Sequence, residues 1–294
     1  MLVNALLAVA LALVGAEAEP DGAFTVAIGG DLSLARGIEQ RAANAGWPRV
    51  LAPLAEALAG ADARIVNLES ATGACLAGGT PARPRLCGRP EALASLPRAG
   101  ITAVTVANNH ALDAGDAGLA DTVARLRREK LTVLGAAAAR SGKPAADPLG
   151  PIVVIAANLS RSAWPPASRV PIPTPEEVGA EVSAARKQDA RRPILVILHG
   201  GRELDPEAGS FEHAYAAAAV EAGAAAVAFH GSHVARGLET IAGVPVHLGL
   251  GNLLFDQRDP KASRGQVVLL RFRRGAPAQM VEIRNVKATT GGRL

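Results

Sequence analysis

The segment ITAVTVANNHALDAG at residues 101–115 passes from an apolar strand pattern into a dense polar cluster. Its first seven residues are small or β-branched, which predicts a short buried strand. Asn108, Asn109 and His110 follow immediately, and Asp113 lies three positions further on. Either asparagine taken alone would be typical of a turn. Together with an imidazole and a carboxylate, they indicate a site at the edge of a sheet.

Strand-like and helix-like segments alternate along the rest of the chain. Buried strands are predicted over residues 24–30, 64–68, 131–135, 152–157, 194–198, 224–229 and 244–250, and helices over 50–58, 116–129 and 176–189. Residues 266–273 and 280–286 predict a closing antiparallel pair around a turn at 275–277. This order favours one layered α/β domain over residues 22–288.

Six of the predicted strands end in polar side chains or are followed by them. These residues are Asp31; Asn67 and Glu69; Asn108, Asn109, His110 and Asp113; His199 and Glu203; His230 and His233; and Asn252 and Asp256. The carboxyl ends of parallel strands meet at one edge of a sheet, so we expect these groups in one crevice. Asp, Glu, Asn and His together favour a divalent metal such as Mn²⁺, Fe²⁺ or Zn²⁺. Taken singly, each is more often a helix cap, a turn residue or a structural histidine.

Composition gives little support for nucleic-acid binding. Aromatic residues make up 3% of the 294 residues, which leaves few rings on which bases would stack. The formal net charge is +4, and the basic residues are scattered rather than clustered. Such a distribution is typical of a solvated surface of mixed charge. His213, on a predicted helix, and His247, inside a predicted strand, are expected to be structural.

The amino terminus has the pattern of a signal peptide. Residues 2–14 are nearly all Leu, Ala and Val, and Ala16 and Ala18 are small residues at the positions that a signal peptidase reads. A run of about 13 residues is too short to cross a hydrocarbon core of ~30 Å as a helix. We therefore expect a signal peptide over residues 1–18 and an exported protein of the cell envelope, periplasmic or extracellular after cleavage. An uncleaved anchor is the alternative, and the missing Lys or Arg before the run departs from the usual pattern.

Cys75 and Cys87 are the two cysteines of the chain. In an exported protein, a pair this close in sequence predicts a disulfide bond. Closing a loop of about a dozen residues would stabilise the fold by roughly 3 kcal/mol on the chain-entropy account. The same insertion carries Arg83, Arg85 and Arg89. These arginines would either meet a polyanion or belong to a solvated loop.

Six motifs, in this order, resemble the CapA family, whose members are tied to poly-γ-glutamate capsules and are related to calcineurin-like metallophosphatases. The motifs are Gly30-Asp31, Asn67-Leu68-Glu69, ANNHALDAG at 107–115, HGGRE at 199–203, HGSHV at 230–234 and LGNLLFDQ at 250–257. The resemblance covers roughly residues 24–286. It implies an α/β fold in which a metallophosphatase-like β-sandwich is flanked by helices, in α/β/β/α layers.

The resemblance also implies a role for each matched residue. It implies that one or two metal ions are bound by Asp31, Glu69, Asn109, His199 and His233. His110 would contact the substrate or donate a proton as the catalytic imidazole, in concert with Asp113. The residues expected to orient these groups, or to replace a missing ligand, are Asn67, Asn108, Glu203, His230, Asn252 and Asp256.

This chain departs from the family pattern at two positions. Many members have His-Pro-His where this chain has Gly231-Ser232-His233, so Gly231 replaces the first imidazole. The residue after His199 is usually Trp, and here it is Gly200. Two interpretations stay open: the metal site is reduced, or His230 serves as the substitute ligand.

Three functions fit these features. The first is an exported CapA-like protein in the synthesis, export or anchoring of poly-γ-glutamate or a related anionic polymer, alongside a membrane-bound polymer synthase. The second is a metal-dependent phosphoesterase or amidase, with a small phosphorylated compound among its substrates. The third is a binding module without catalysis, which Gly231 favours. A serine hydrolase is not predicted, because no Gly-x-Ser-x-Gly motif is present.

Overall fold

In the described part of the chain, helices cover the outer faces of two apolar sheets that lie face to face. A computed structural model describes residues 22–80, 84–160 and 170–288. The predicted signal peptide over 1–18 and Arg83 lie outside the described residues. The domain bounds 22–288 stay a prediction.

The strands follow one another along the chain and alternate with helices. In chain order the strands are β1 (Phe24–Leu32), β2 (Ala63–Leu68), β3 (Ala71–Thr72), β4 (Cys87–Gly88), β5 (Ala103–Thr105), β6 (Thr132–Leu134), β7 (Ala145–Leu149), β8 (Ile152–Asn158), β9 (Ile194–His199), β10 (Ala226–His230), β11 (Leu238–Ile241), β12 (Val244–His247), β13 (Asn252–Leu254), β14 (Arg264–Phe272) and β15 (Gln279–Lys287). The α-helices are α1 (Arg36–Ala45), α2 (Trp47–Ala57), α3 (Gly115–Arg128), α4 (Ala136–Ser141), α5 (Pro175–Gln188) and α6 (Ser210–Glu221).

The first sheet has the strand order β15-β14-β1-β2-β5-β6, and β13 also pairs with the end of β1. The second sheet has the order β11-β12-β10-β9-β8-β7. The central strands β1, β2, β5 and β6 are parallel, and so are β8, β9, β10 and β12. The carboxyl ends of these central strands therefore gather at one edge of each sheet.

Three apolar layers hold the sheets and helices together. The layer between the sheets contains Ile28, Ile65 and Ile197. Along each strand, side chains face the inner layer and the outer layer in turn, because successive side chains of a strand point to opposite faces. On the outer face of the first sheet the strands pack against α1, α2 and α3, and on the outer face of the second sheet against α5 and α6. The layers are therefore α/β/β/α, as the family resemblance implied.

Sequence signals account for the ends of several elements. Thr174 caps α5, because its hydroxyl accepts from the Glu177 N–H while the Glu177 carboxylate accepts from the Thr174 N–H, and Pro175 occupies the first turn. The predicted strand 101–107 is limited to β5, since pairing with β2 and β6 spans only three residues. The strand predicted over 244–250 ends at His247.

A β-bulge near the end of β1 decides which of its side chains face the second sheet. Val26 and Ile28 lie in the layer between the sheets, whereas Ala27 lies against the helices. The register with β2 shifts between Ile28 and Asp31. Without this shift Asp31 would follow Ala27 to the helical face; with it, Asp31 lies on the inner face beside its partner Asn67.

We expect Gly30, inside this bulge, to be intolerant of any side chain. A Cβ at Gly30 would lie 1.9 Å from the carbonyl oxygen of Gly251 and 2.9 Å from that of Leu250. Gly30→Ala should therefore lower the free energy of unfolding by about 1–3 kcal/mol, measured by thermal unfolding. Gly237→Ala is the control, because a Cβ there meets nothing within 4 Å. Equal melting temperatures for the two variants would contradict this account of the bulge.

Candidate metal centre

Acidic, amide and imidazole side chains meet where the carboxyl ends of the two sheets face each other. Asp31 and Asn67 are register partners on β1 and β2, and His199 and His230 are register partners on β9 and β10. Each pair projects to one face of its sheet because partners in a parallel register point the same way. One ligand atom from each of Asp31, Glu69 and His199 lies within 4.8 Å of the others.

Asn67 links the two sheets at this edge. Its side-chain nitrogen donates to Asp31 Oδ1 at 2.8 Å and to His199 Nδ1 at 3.1 Å. Its oxygen accepts from Asn108 Nδ2 at 3.0 Å. Because the amide nitrogen can only donate, His199 Nδ1 accepts and Nε2 carries the proton. The Nε2 proton is then donated to Asn109 Oδ1 at 2.9 Å.

Glu69 is the side chain whose chemistry points most directly to a cation. It is 0% exposed, and neither carboxyl oxygen has a hydrogen-bond partner. Burial raises the pKa of Glu69 well above its usual range, and the charge of His233 offsets this only in part. A buried polar group without a partner costs about 1–3 kcal/mol, and a charged one costs more. A cation bound by this carboxylate would remove that cost.

His233 lies among the oxygen atoms that would surround such a cation. Its Nδ1 is 3.0 Å from Asn252 Oδ1 and 3.3 Å from Asp31 Oδ2, and its Nε2 is 3.7 Å from Glu69 Oε1. Burial by itself lowers the pKa of His233, but the carboxylates of Glu69 and Asp31 outweigh it and raise the pKa to about 10. The ring is therefore an imidazolium at neutral pH.

The neighbouring groups are held in the states that metal ligands need. Burial raises the pKa of Asp31, but its hydrogen bond to His233 and the charge of that imidazolium outweigh this and hold the pKa below its usual range. Burial lowers the pKa of His199 to about 3, so this ring is neutral. An ionised carboxylate and a neutral imidazole are the forms that bind a divalent ion. Since Nε2 of His199 carries its proton, Nδ1 has the lone pair for an ion, which would replace the hydrogen bond from Asn67 there. With that exchange, the residues present fit a metal centre.

Comparison with known proteins assigns the family. The sequence profile of the family described as bacterial capsule synthesis protein PGA_cap matches residues 25–257. This chain belongs to that family. The PGA biosynthesis protein CapA of Bacillus subtilis is 26% identical over 175 residues, which cover 57% of this chain and 46% of that protein. The CapA-like chain therefore matches about half the length of this relative.

Two further comparisons agree with the family and the fold. A probable polyglutamine synthesis accessory protein of Mycobacterium tuberculosis is 28% identical over 288 residues, covering 79% of this chain and 74% of that protein. The NAD nucleotidase of Haemophilus influenzae superposes with a TM-score of 0.52 at 12% identity, over 90% of this chain and 50% of that one. At this identity the second match shows the fold alone. The predicted metallophosphatase-like α/β class is confirmed.

In the CapA-like chain, most of the predicted ligands and orienting residues lie together. Asp31, Glu69, His199 and His233 approach one another, and Asn109 contacts His199. The orienting residues that contact them are Asn67, Asn108 and Asn252. His110 Nδ1 lies 2.7 Å from Asp113 Oδ2. The roles in metal binding and catalysis stay predictions.

Two predicted residues have other partners, and a third lies on an exposed loop. His230 Nε2 lies 2.9 Å from the carbonyl oxygen of Gly29, whereas its Nδ1 is buried without a hydrogen-bond partner, so the role of substitute ligand stays a prediction for that nitrogen. Asp256 forms an ion pair with Arg36 and accepts from the Gly37 N–H at 3.1 Å. These contacts hold the start of α1 and do not orient a metal ligand. Glu203 is exposed on the loop after β9.

Two contacts at the centre were not predicted from the sequence. The Gly231 N–H donates to Asp31 Oδ2 at 3.2 Å. A Cβ at Gly231, whose φ is 91°, would lie 3.0 Å from His199 Nε2, so the side chain that the family often has here would have to displace this ring. Phe255 packs against His233 with ring centroids 5.0 Å apart. In the sequence, the signal for the Gly231 contact was its position shortly after a predicted buried strand and its neighbouring histidine.

An open cleft of about 740 Å³ lies beside the centre. Asn109 forms one side of it, and Leu159 and Phe211 supply apolar surface. The loop after β9 adds the carboxylates of Glu203 and Glu207. A substrate in this cleft would reach Asn109 and, through it, the edge where His199 lies. None of the helices in the described ranges combines the length and apolar character needed to cross a bilayer.

Replacing Glu69 tests whether its carboxylate binds the metal. Glu69→Gln keeps the size of the side chain and removes its charge. We expect the affinity for Mn²⁺ or Zn²⁺, measured by isothermal titration calorimetry, to fall by more than the about 10–100-fold that loss of an orienting residue costs. Glu221→Gln, an exposed carboxylate at the end of α6, is the matched control. Equal affinities in the two variants would rule out Glu69 as a ligand.

Metal binding should release protons, because the imidazolium of His233 must be neutral to bind an ion. With a pKa of about 10, His233 carries its proton at pH 8. The apparent metal affinity should therefore rise with pH up to about 10 and level off above it. Calorimetry in two buffers of different ionisation enthalpy measures the release, and His233→Asn should reduce it. Identical enthalpies in both buffers would show that no proton leaves.

Proposed function

We propose that this chain is a divalent-metal-dependent hydrolase that acts on poly-γ-glutamate or a related anionic polymer in the cell envelope, and so contributes to the synthesis, export or anchoring of that polymer. The observation that carries the proposal is the Glu69 carboxylate, which is fully buried and accepts no hydrogen bond, beside Asp31 and His199. The name of the B. subtilis relative, a PGA biosynthesis protein, and the family resemblance supply the polymer. The M. tuberculosis relative is named for polyglutamine synthesis.

The ligand set supports a hydrolytic centre. Asp31, Glu69 and His199 would hold the ion, with Asn109 and His233 beside them. A divalent ion at this place would supply a Lewis acid that polarises the bond to be cleaved. Asn67 sets the orientation of Asp31 and His199 through its amide nitrogen. Asp31 and His199 lie on strands of the two sheets and Glu69 directly follows β2, so the packing of the sheets fixes the spacing of these three side chains.

His110 has the surroundings of a proton donor. Its Nδ1 is 2.7 Å from Asp113 Oδ2, so Asp113 fixes the ring orientation and leaves Nε2 for the substrate. The ring would donate from Nε2 while both nitrogens carry protons, and it would accept a proton there once Nδ1 alone is protonated. The backbone N–H of His110 donates to Asn108 Oδ1 at 3.1 Å. Asn108 in turn donates to Asn67 and to the carbonyl of Leu68. The proton donor and the ligands are therefore connected by one hydrogen-bonded chain.

Location in the envelope is part of the proposal. The apolar run at residues 2–14 supports export. The disulfide bond between Cys75 and Cys87 supports an oxidising compartment, where such bonds persist. An exported protein with this site would work beside a membrane-bound polymer synthase.

A binding module without turnover is the second candidate. Gly231 favours it, because the family often has an imidazole at this position and a Cβ here would crowd His199 Nε2. One ligand fewer would leave an ion bound at a single position rather than two.

Hydrolysis assays with defined metal separate these functions. The purified protein, loaded with Mn²⁺ or Zn²⁺, is incubated with poly-γ-glutamate and with a chromogenic phosphodiester. The second substrate is included because Glu203 and Glu207 on the cleft would repel a polyanion. We expect new amine ends or released phenolate, and a loss of at least about 100-fold in Asp31→Asn and His199→Ala.

Glu221→Gln, far from the ligands in sequence and exposed, should retain full activity in the same assay. Metal bound in stoichiometric amount with no product from either substrate would favour the binding module. A protein that binds no metal would exclude both metal-dependent functions.

A further inference from the structure

Both segments that the Cys75–Cys87 disulfide joins donate hydrogen bonds to Asp113. We define the disulfide arms as residues 75–80 and 84–88. From the first arm, the Leu76 N–H donates to the Asp113 carbonyl oxygen at 2.8 Å. From the second, the Leu86 N–H donates to Asp113 Oδ2 at 2.6 Å, and Arg85 Nη1 donates to the Asp113 carbonyl oxygen at 3.2 Å. Both the main chain and the carboxylate of Asp113 are thus held by these arms.

Each cysteine is the immediate neighbour of a residue that donates to Asp113. Cys75 precedes Leu76, and Cys87 follows Leu86. The disulfide bond joins Cys75 to Cys87, with Cα atoms 5.6 Å apart. The covalent bond therefore fixes the distance between the two backbone donors, which hydrogen bonds alone would leave free to separate.

The contact with Asp113 is transmitted to His110. Oδ2 of Asp113 accepts from Leu86 and also lies 2.7 Å from His110 Nδ1. Asp113 is 6% exposed, so water has little access with which to replace either partner. Moving the Leu86 N–H away would leave this oxygen free to turn, and the imidazole would turn with it.

A second path leads from the same arm to the metal ligands. The side chain of Leu86 packs with Ala35 and Phe255 in a buried cluster. Phe255 in turn packs against His233. The second arm packs tightly against the backbone at its end, since a Cβ at Gly88 would lie 2.5 Å from the carbonyl oxygen of Leu34. Displacing the second arm would therefore disturb His110 through Asp113 and His233 through Phe255.

Arg85 has a structural task in this arrangement. Besides Asp113, its guanidinium donates to the Ala77 carbonyl oxygen at 2.7 Å, which ties the second arm to the first. Arg89, by contrast, forms an ion pair with Glu39 and is 80% exposed. The interpretation in which these arginines bind a polyanion thus does not hold for Arg85, whose donors are aimed at the backbone of the loop.

We propose that the Cys75–Cys87 disulfide is a positioning element for the His110–Asp113 pair, and that its reduction leaves the fold intact but releases His110 from its fixed orientation. The proposal rests on the proposed function only in assigning His110 a step in hydrolysis. The hydrogen bonds from the disulfide arms to Asp113 do not depend on that assignment. A bond that served stability alone would need no donors to Asp113 next to each cysteine.

The test compares the full chain with the Cys75→Ser/Cys87→Ser variant. Nitrogen-15 NMR of the imidazole distinguishes ring tautomers, and we expect His110 in the native protein to be protonated at Nδ1, toward Asp113. In the double variant we expect a mixture of both tautomers. In the hydrolysis assay kcat should fall about 10-fold or more, while KM changes less than about 3-fold, because proton transfer at Nε2 and not substrate binding is affected.

Matched variants separate positioning from stability. Asp113→Asn, with the disulfide intact, should give the same tautomer mixture as the double variant. Val178→Ala, on the buried face of α5, lowers stability without touching the arms and should leave the His110 spectrum unchanged. If the double variant does not fold, reduction of the folded native protein with a phosphine gives the same comparison.

An unchanged His110 spectrum after loss of the disulfide would overturn the positioning role, whether or not hydrolysis is observed. A changed spectrum in a protein that hydrolyses neither substrate would uphold the positioning role and contradict the proposed function instead. A fall in kcat matched by Val178→Ala at equal loss of melting temperature would assign the effect to stability and overturn the inference.

Discussion

A single amide holds the two halves of the centre together. Asn67 on the first sheet donates to Asp31 on the same sheet and to His199 on the second. The same residue fixes the tautomer of His199, because an amide nitrogen can only donate. It is in turn fixed by Asn108, at the start of the polar loop that carries His110. Ligand spacing, ligand tautomer and the position of the proton donor all depend on the two sheets meeting at Asn67.

Buried charge is the second constraint on this edge. Asp31 and Glu69 are both fully buried, and in the described structure the nearby cation is the imidazolium of His233. That cation stabilises Asp31 yet leaves both oxygens of Glu69 without a hydrogen bond. A divalent ion would satisfy Glu69 and displace a proton from His233 at the same time. Metal affinity and proton release are therefore linked, because the ion and the His233 proton compensate the same buried carboxylates.

The departure from the family at Gly231 has a local explanation in the packing. The backbone N–H of Gly231 donates to Asp31, and its missing side chain leaves room for His199. His230 directs its Nε2 to the Gly29 carbonyl, and its Nδ1 is the nitrogen left for an ion, buried and without a hydrogen-bond partner. The sequence left both interpretations open because one residue of shift along a strand end changes the direction of a side chain completely.

The sequence by itself determined the fold class, because apolar strands alternating with amphipathic helices can bury their faces only in layers. It also determined which chemical groups stand at the strand ends, among them Asp31 and Glu69. Only the tertiary structure decided which of these groups meet. The bulge at the end of β1 turns Asp31 inward, and Asp256 lies at the start of α1 instead. Such outcomes depend on contacts between residues more than a hundred positions apart, and no local pattern encodes them.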